Sequence, residues 1–195
     1  LRVLHELGFN VLVWDYRGYG KSEPASVPTP EQFLADARQV RALAGTLAPD
    51  PDRVVIYGYS LGGIPAVEAA LADPPCGLAL EAPFTSVRLV ARSNSTVNLP
   101  ETFFSEGAYE NIRKIEGYTG PLLAMGGTAD TFFPWTDVRT LAEAAGGPTR
   151  TWFPEGVHHG VSDIGIVEAG VPAYDAELAA WLSSDAAGCI GAPQQ

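Results

Sequence analysis

Three short apolar runs, at 53–57, 77–80 and 121–125, and a strand-like segment at 149–153 are separated by stretches whose apolar residues recur every three or four positions. This alternation constrains the fold more than any other feature of the chain. A continuous apolar run suits a strand covered on both faces, as in a parallel sheet. The intervening segments 31–48, 61–72, 137–146 and 168–183 read as helices. The first carries Phe33, Ala37, Val40, Leu43, Ala44 and Leu47 along one side, with Thr29 placed to cap it before Pro30. Strands alternating with helices predict an α/β fold, a doubly wound and mostly parallel sheet with helices on both faces. A further helix over 1–8 closes on Gly8, a fifth strand is expected at 9–14, and an exposed glycine-containing loop covers 15–22.

At 195 residues the chain suits one domain, read as 1–185. Residues 87–119, the least regular stretch, read as a short lid-side insertion with a helical piece at 106–115, and 186–195 as a flexible tail. A net charge of −11 with only 12 dispersed basic residues argues against nucleic acid as a partner. No run is long and apolar enough to cross a bilayer, and no secretory leader is read. The cytoplasm is then the default compartment, an assignment of little weight where the first residue need not begin the gene product. Cys76 and Cys189 lack metal-ligand spacing. Two unpaired thiols are the expectation, with a bridge from the last segment to the sheet as the alternative.

In open α/β sheets, ligands collect beyond the C-terminal strand ends. There the sequence Gly58-Tyr59-Ser60-Leu61-Gly62-Gly63 lies between a strand and a helix. This is the context that makes G-x-S-x-G a nucleophile turn, with glycines two positions either side relieving the crowding around a strained serine. Ser60 is the expected nucleophile and the Leu61 N–H the expected oxyanion donor. Asp130 follows the 121–125 strand in a glycine-rich loop and is the expected orienting acid, with Asp137 as the nearby alternative. Two of the three histidines, His158 and His159, follow the last strand. Neighbours in a loop point in different directions, so one is the base; spacing favours His159, with His158 as the alternative. His5 reads as a surface or packing residue. Arg17, Tyr19, Tyr59, Phe84 and Phe132 are candidate pocket residues, with Arg17 equally suited to holding its own loop. Phe133 and Trp135 add apolar surface, and neither a cofactor nor a metal is expected.

These motifs resemble those of the α/β-hydrolase superfamily, especially small single-domain serine hydrolases of the monoacylglycerol-lipase, serine-aminopeptidase and protein-depalmitoylating type. The resemblance runs over residues 8–181. It rests on the strand and loop through Asp15-Tyr-Arg-Gly-Tyr-Gly-Lys-Ser22, on the turn at Ser60, on Ala82-Pro-Phe-Thr-Ser86, and on Gly127-Thr-Ala-Asp130. The family spacing of glycine, two residues and histidine, counted from Gly156, lands on His159; a spacing one residue shorter lands on His158. The resemblance implies hydrolysis of carboxylic esters or thioesters through an acyl-enzyme, on a small-molecule or lipid-like substrate. The alternatives are a peptidase or amidase, a haloperoxidase-like or lyase use of the same residues, and a non-catalytic binding module. The family also implies strands before the helix at 1–8, one of them ending in a loop that supplies a second oxyanion donor. The chain accordingly reads as N-terminally truncated, with weakened activity and an open sheet edge suited to self-association.

Overall fold

The computed structural model describes residues 2–23, 29–86, 109–159, 170–186 and 189. Four strands, β1 (Val55–Tyr59), β2 (Gly77–Glu81), β3 (Leu122–Met125) and β4 (Thr149–Trp152), form a sheet in the order β1-β2-β3-β4, and all neighbours are parallel. The helices are α1 (Arg2–Glu6), α2 (Pro30–Leu47), α3 (Gly63–Ala72), α4 (Asn111–Lys114), α5 (Trp135–Ala144) and α6 (Val171–Ser184). Because strand order follows chain order and parallel crossovers are right-handed, successive crossover helices lie on one face. Ala66, Val67 and Ala70 of α3 and Val138, Leu141 and Ala142 of α5 pack there on Leu78, Leu80, Leu122 and Ala124. The opposite face needs helices from the ends of the chain. It is covered by Tyr174, Leu178, Trp181 and Leu182 of α6 with Leu4 and Leu7, over Ala79, Leu123 and Met125. Alternate residues of one strand thus feed two cores, which is why the central strands are apolar throughout.

Thr29 caps α2 reciprocally: its side chain accepts from the Gln32 N–H while the Gln32 side chain accepts from the Thr29 N–H. The buried side of α2 is Phe33, Leu34, Ala37 and Arg41, and the predicted face holds only in part, since Leu43 and Leu47 are exposed. Arg41 is buried on this side because it reaches the end of α3, donating to the carbonyl oxygens of Asp73 at 2.9 Å and Pro74 at 3.5 Å.

Three expectations are corrected. Residues 9–14 form no strand: no described strand forms a ladder with them, and a strand pattern without a neighbouring strand has none to join. Val11, Leu12, Val13 and Trp14 are accordingly exposed. The cysteines are not free; Cys76 and Cys189 form a disulfide across 113 residues. Of the segment read as a flexible tail, Ala186 and Cys189 are described, and both are buried in the core with Trp181. The region 87–108 lies outside the described residues. Of the predicted helical piece the structure describes Asn111–Lys114, followed by a 3₁₀ turn at Ile115–Gly117.

Closing a loop of this length lowers the entropy of the unfolded chain, an effect of typically about 2–4 kcal/mol. Cys189→Ser should therefore lower the urea midpoint by the equivalent of about 3 kcal/mol, and reduction of the unmodified chain should do the same. Equal midpoints for the oxidised and reduced chains would show that the bridge contributes no stability.

Candidate active site

The ends of all four strands converge on one edge. Ser60 leaves β1 with φ +52°, one of two non-glycine residues with positive φ among those described. Such a conformation costs of order 1–3 kcal/mol and persists only where its surroundings enforce it. Gly58 is part of that enforcement, since a Cβ there would lie 2.6 Å from the Ala66 Cβ and 2.7 Å from the Gly62 carbonyl oxygen. Gly63 is equally confined, 2.9 Å from the Pro83 side chain. Gly62 is not: the nearest atom to a Cβ there is the Tyr16 hydroxyl at 3.6 Å, so the predicted crowding applies to Gly58 and not to both flanking glycines.

The other residue with positive φ is Ala82, at +40°, at the end of β2. Its N–H donates to the Met125 carbonyl at 2.7 Å, and the Phe84 N–H two residues on donates to the Ser60 carbonyl at 3.0 Å. The β2 loop thereby braces the serine turn from the side. Nothing in the sequence around Ala82 advertised that conformation, because alanine is not a residue that favours it.

Asp130 sits in the loop after β3 and is buried. One carboxylate oxygen, Oδ1, accepts from the N–H groups of Phe132 at 2.8 Å and Phe133 at 2.9 Å. The other, Oδ2, is thereby aimed at His159 Nδ1, 2.9 Å away. His159 Nε2 lies 3.0 Å from Ser60 Oγ. With Nδ1 protonated toward the carboxylate, Nε2 carries the lone pair and accepts from the serine hydroxyl. His159 is only 7% exposed, between the stacked ring of Tyr59 at 5.5 Å and the edge-on ring of Phe133 at 5.0 Å.

Of the two adjacent histidines, the structure brings His159 to Ser60 and Asp130. His158 is exposed, and its Nδ1 donates to the Ala129 carbonyl oxygen at 3.0 Å. The acid and histidine loops are laced together elsewhere: the Ala129 N–H donates to Val157 O at 2.9 Å, the Thr128 N–H to Pro154 O at 3.1 Å, and the Gly156 N–H to Thr128 Oγ1 at 2.8 Å. Asp137, the alternative acid, is in the first turn of α5, where burial pushes its carboxyl above the usual range.

The candidate pocket residues divide. Phe132 is half exposed with its ring 5.5 Å from His159, and Phe84 is 5.8 Å from Phe133, so both flank the imidazole side of the site. Leu61 follows the serine in a 3₁₀ turn (Ser60–Gly62) leading into α3. Arg17 is drawn instead to Asp36 of α2, donating through Nε at 2.7 Å, and lines a surface hollow of about 400 Å³ with Trp14, Asp15 and Ser22. Tyr19 is exposed. From the same loop it is Tyr16, unnoticed in the sequence, that lies by Gly62, its ring edge-on to Phe33 at 4.8 Å. Phe133 and Thr128 join the site through contacts that sequence spacing does not encode. Among the described residues no group of three or more His, Cys, Asp or Glu is placed to hold a metal ion, and no helix is long and apolar enough to cross a membrane.

A parallel sheet with helices on both faces and a serine on a strained strand-to-helix turn define an α/β-hydrolase. The family model described as serine aminopeptidase, S33, matches residues 1–107, and this chain belongs to that family. An uncharacterised protein of Mycobacterium tuberculosis is 37% identical over 157 residues, covering 80% of this chain and 55% of its own length. The human alpha/beta hydrolase domain-containing protein 17B is 31% identical over 153 residues, covering 77% of this chain and 50% of its own. The chain thus spans about half the length of these curated relatives. Among solved structures, the Pyrococcus furiosus esterase Pf2001 superposes with a TM-score of 0.73 at 18% identity, covering 97% of this chain and 74% of that one, a likeness of fold.

Proposed function

We propose that this protein is a serine hydrolase that cleaves carboxylic esters or thioesters through an acyl-enzyme. The observation that carries the reading is the continuous hydrogen-bonded chain from Ser60 Oγ through His159 to Asp130, at 3.0 and 2.9 Å. His159 Nε2 takes the Ser60 proton as Oγ attacks the carbonyl carbon, and the Leu61 N–H donates to the oxygen that becomes negative. Asp130 stabilises the imidazolium and holds its orientation without itself taking the proton. The tetrahedral intermediate collapses, the leaving alkoxide or thiolate takes the proton from Nε2, and water, deprotonated by the same nitrogen, releases the acid and restores Ser60. The half-exposed Phe132 with Phe84 and Phe133 offers an apolar wall for an acyl or aromatic group.

The test is intact-mass analysis after incubation with a fluorophosphonate. One adduct per chain is expected, absent from Ser60→Ala, together with turnover of a p-nitrophenyl ester. A folded chain that takes no label under conditions that label a control hydrolase, or a Ser60→Ala chain labelled as readily, sinks the proposal. The family's description as an aminopeptidase favours amide substrates as a second reading. Faster cleavage of an aminoacyl p-nitroanilide than of the matched ester would select it.

A further inference from the structure

Ser60 is not the only residue of its turn that reaches the histidine. The preceding residue, Tyr59, ends β1 with extended backbone, and its hydroxyl donates to the main-chain carbonyl oxygen of His159 at 2.6 Å. Its ring lies nearly parallel to the imidazole, 20° between planes and 5.5 Å between centroids. Two adjacent residues therefore grip one histidine, Ser60 at Nε2 and Tyr59 at the backbone and the ring face.

We infer that Tyr59 is a positioning residue that sets the placement of the His159 imidazole between Ser60 and Asp130. The inference rests on the reading of Ser60 as the nucleophile and adds to it a residue read from the sequence only as pocket lining. The physical need is specific. Ser60 follows directly from β1, and Asp130, though on a loop, is held by the Phe132 and Phe133 N–H groups, whereas His159 lies on the loop after β4 and its imidazole needs an anchor of its own. A hydroxyl anchored on β1 transfers the rigidity of the sheet to the main chain of His159. Phe133 and Phe132 bear on the ring at 5.0 and 5.5 Å, which leaves it little freedom to tilt. Displacing a reacting group by about 1 Å can cost on the order of a hundredfold in rate.

A comparator lies on the same face of the sheet. The Tyr57 hydroxyl donates to the buried Glu81 carboxylate and accepts from the Tyr174 hydroxyl at 2.7 Å. Burial, then the Glu81 charge, pushes the Tyr57 hydroxyl well above its ordinary range, so it stays protonated as a donor. Tyr174→Phe deletes one hydroxyl from this buried network with no hydrogen bond to the histidine.

The experiment compares Tyr59→Phe, Tyr59→Leu and Tyr174→Phe with the unmodified chain. The first readout is the rate constant and half-saturation of fluorophosphonate labelling. The second is the low-field proton resonance of His159 Nδ1–H, assigned by its loss in His159→Gln. Tyr59→Phe should label about 10- to 100-fold more slowly at unchanged half-saturation, with faster exchange of the Nδ1 proton with water. Tyr59→Leu, losing the ring as well, should be slower still, and Tyr174→Phe should match the unmodified chain in both readouts. Unchanged labelling and exchange in Tyr59→Phe overturns the positioning role while leaving Ser60 as nucleophile. An equal loss in Tyr174→Phe overturns it in favour of a general packing effect. Failure of the unmodified chain to label removes the hydrolase reading itself, and the resonance then reports alone on whether Tyr59 holds the imidazole.

Discussion

His159→Ala should lower kcat/KM for a p-nitrophenyl ester by on the order of 10⁴-fold or more, and His158→Ala by less than about tenfold. The two residues are neighbours of identical chemistry, so the contrast isolates placement. His159 is buried, bonded through Nδ1 to Asp130 and through Nε2 to Ser60, and its removal leaves the serine without an acceptor for its proton. His158 points outward and gives Nδ1–H to the Ala129 carbonyl, a bond whose loss loosens the acid loop without touching the reacting atoms. Because members of such a set act as a unit, the double change His159→Ala with Ser60→Ala should be little worse than either alone. Equal losses for His158→Ala and His159→Ala would contradict the assignment of the base.

Gly127→Ala should also damage the site, though less than His159→Ala, while leaving Ser60, Asp130 and His159 chemically intact. A Cβ on Gly127 would lie 2.0 Å from the carbonyl oxygen of Val157 and 2.5 Å from its carbon, both backbone atoms without the freedom of a side-chain end. The acid and histidine loops must then separate. That breaks the bond from the Ala129 N–H to the same Val157 oxygen and draws Asp130 away from His159. Forced overpacking of this kind costs about 1–3 kcal/mol and occasionally more. The expected outcome is a urea midpoint lower by the equivalent of about 3 kcal/mol and ester turnover reduced by about a hundredfold or more. Gly156→Ala is the contrast: φ there is +75°, but a Cβ would meet nothing within 4 Å, so its cost is confined to local backbone strain. A Gly127→Ala chain with unaltered midpoint and turnover would mean that the two loops are not in register through this contact.

The strain at Ser60 and the packing at Gly58 were readable because a serine flanked by glycines between a strand and a helix has few other physical explanations. The strain at Ala82 was not, since it is imposed by Pro83 against Gly63 and by hydrogen bonds to Met125 and Ser60 from elsewhere in the chain. Arg17 shows the same limit: a cation in an exposed loop can face a substrate or a carboxylate, and only the position of α2 brings Asp36 to it.

What the amino-acid order determined by itself was local and periodic. It set the alternation of strands and helices, the apolar character of the central strands, the capped start of α2, and the placing of Ser60, Asp130 and a histidine pair just past strand ends. These follow from spacing along one chain, which the backbone periods convert directly into faces and ends. Tertiary structure decided which histidine turns inward, that Tyr59 spans from β1 to the histidine loop, that Cys76 and Cys189 meet across 113 residues, and that residues 9–14 have no described strand beside them despite their strand-like pattern. Each depends on two segments far apart in the chain arriving at the same place. A hydrogen bond, a disulfide or a β-ladder belongs to the pair it joins, and neither member alone records its partner.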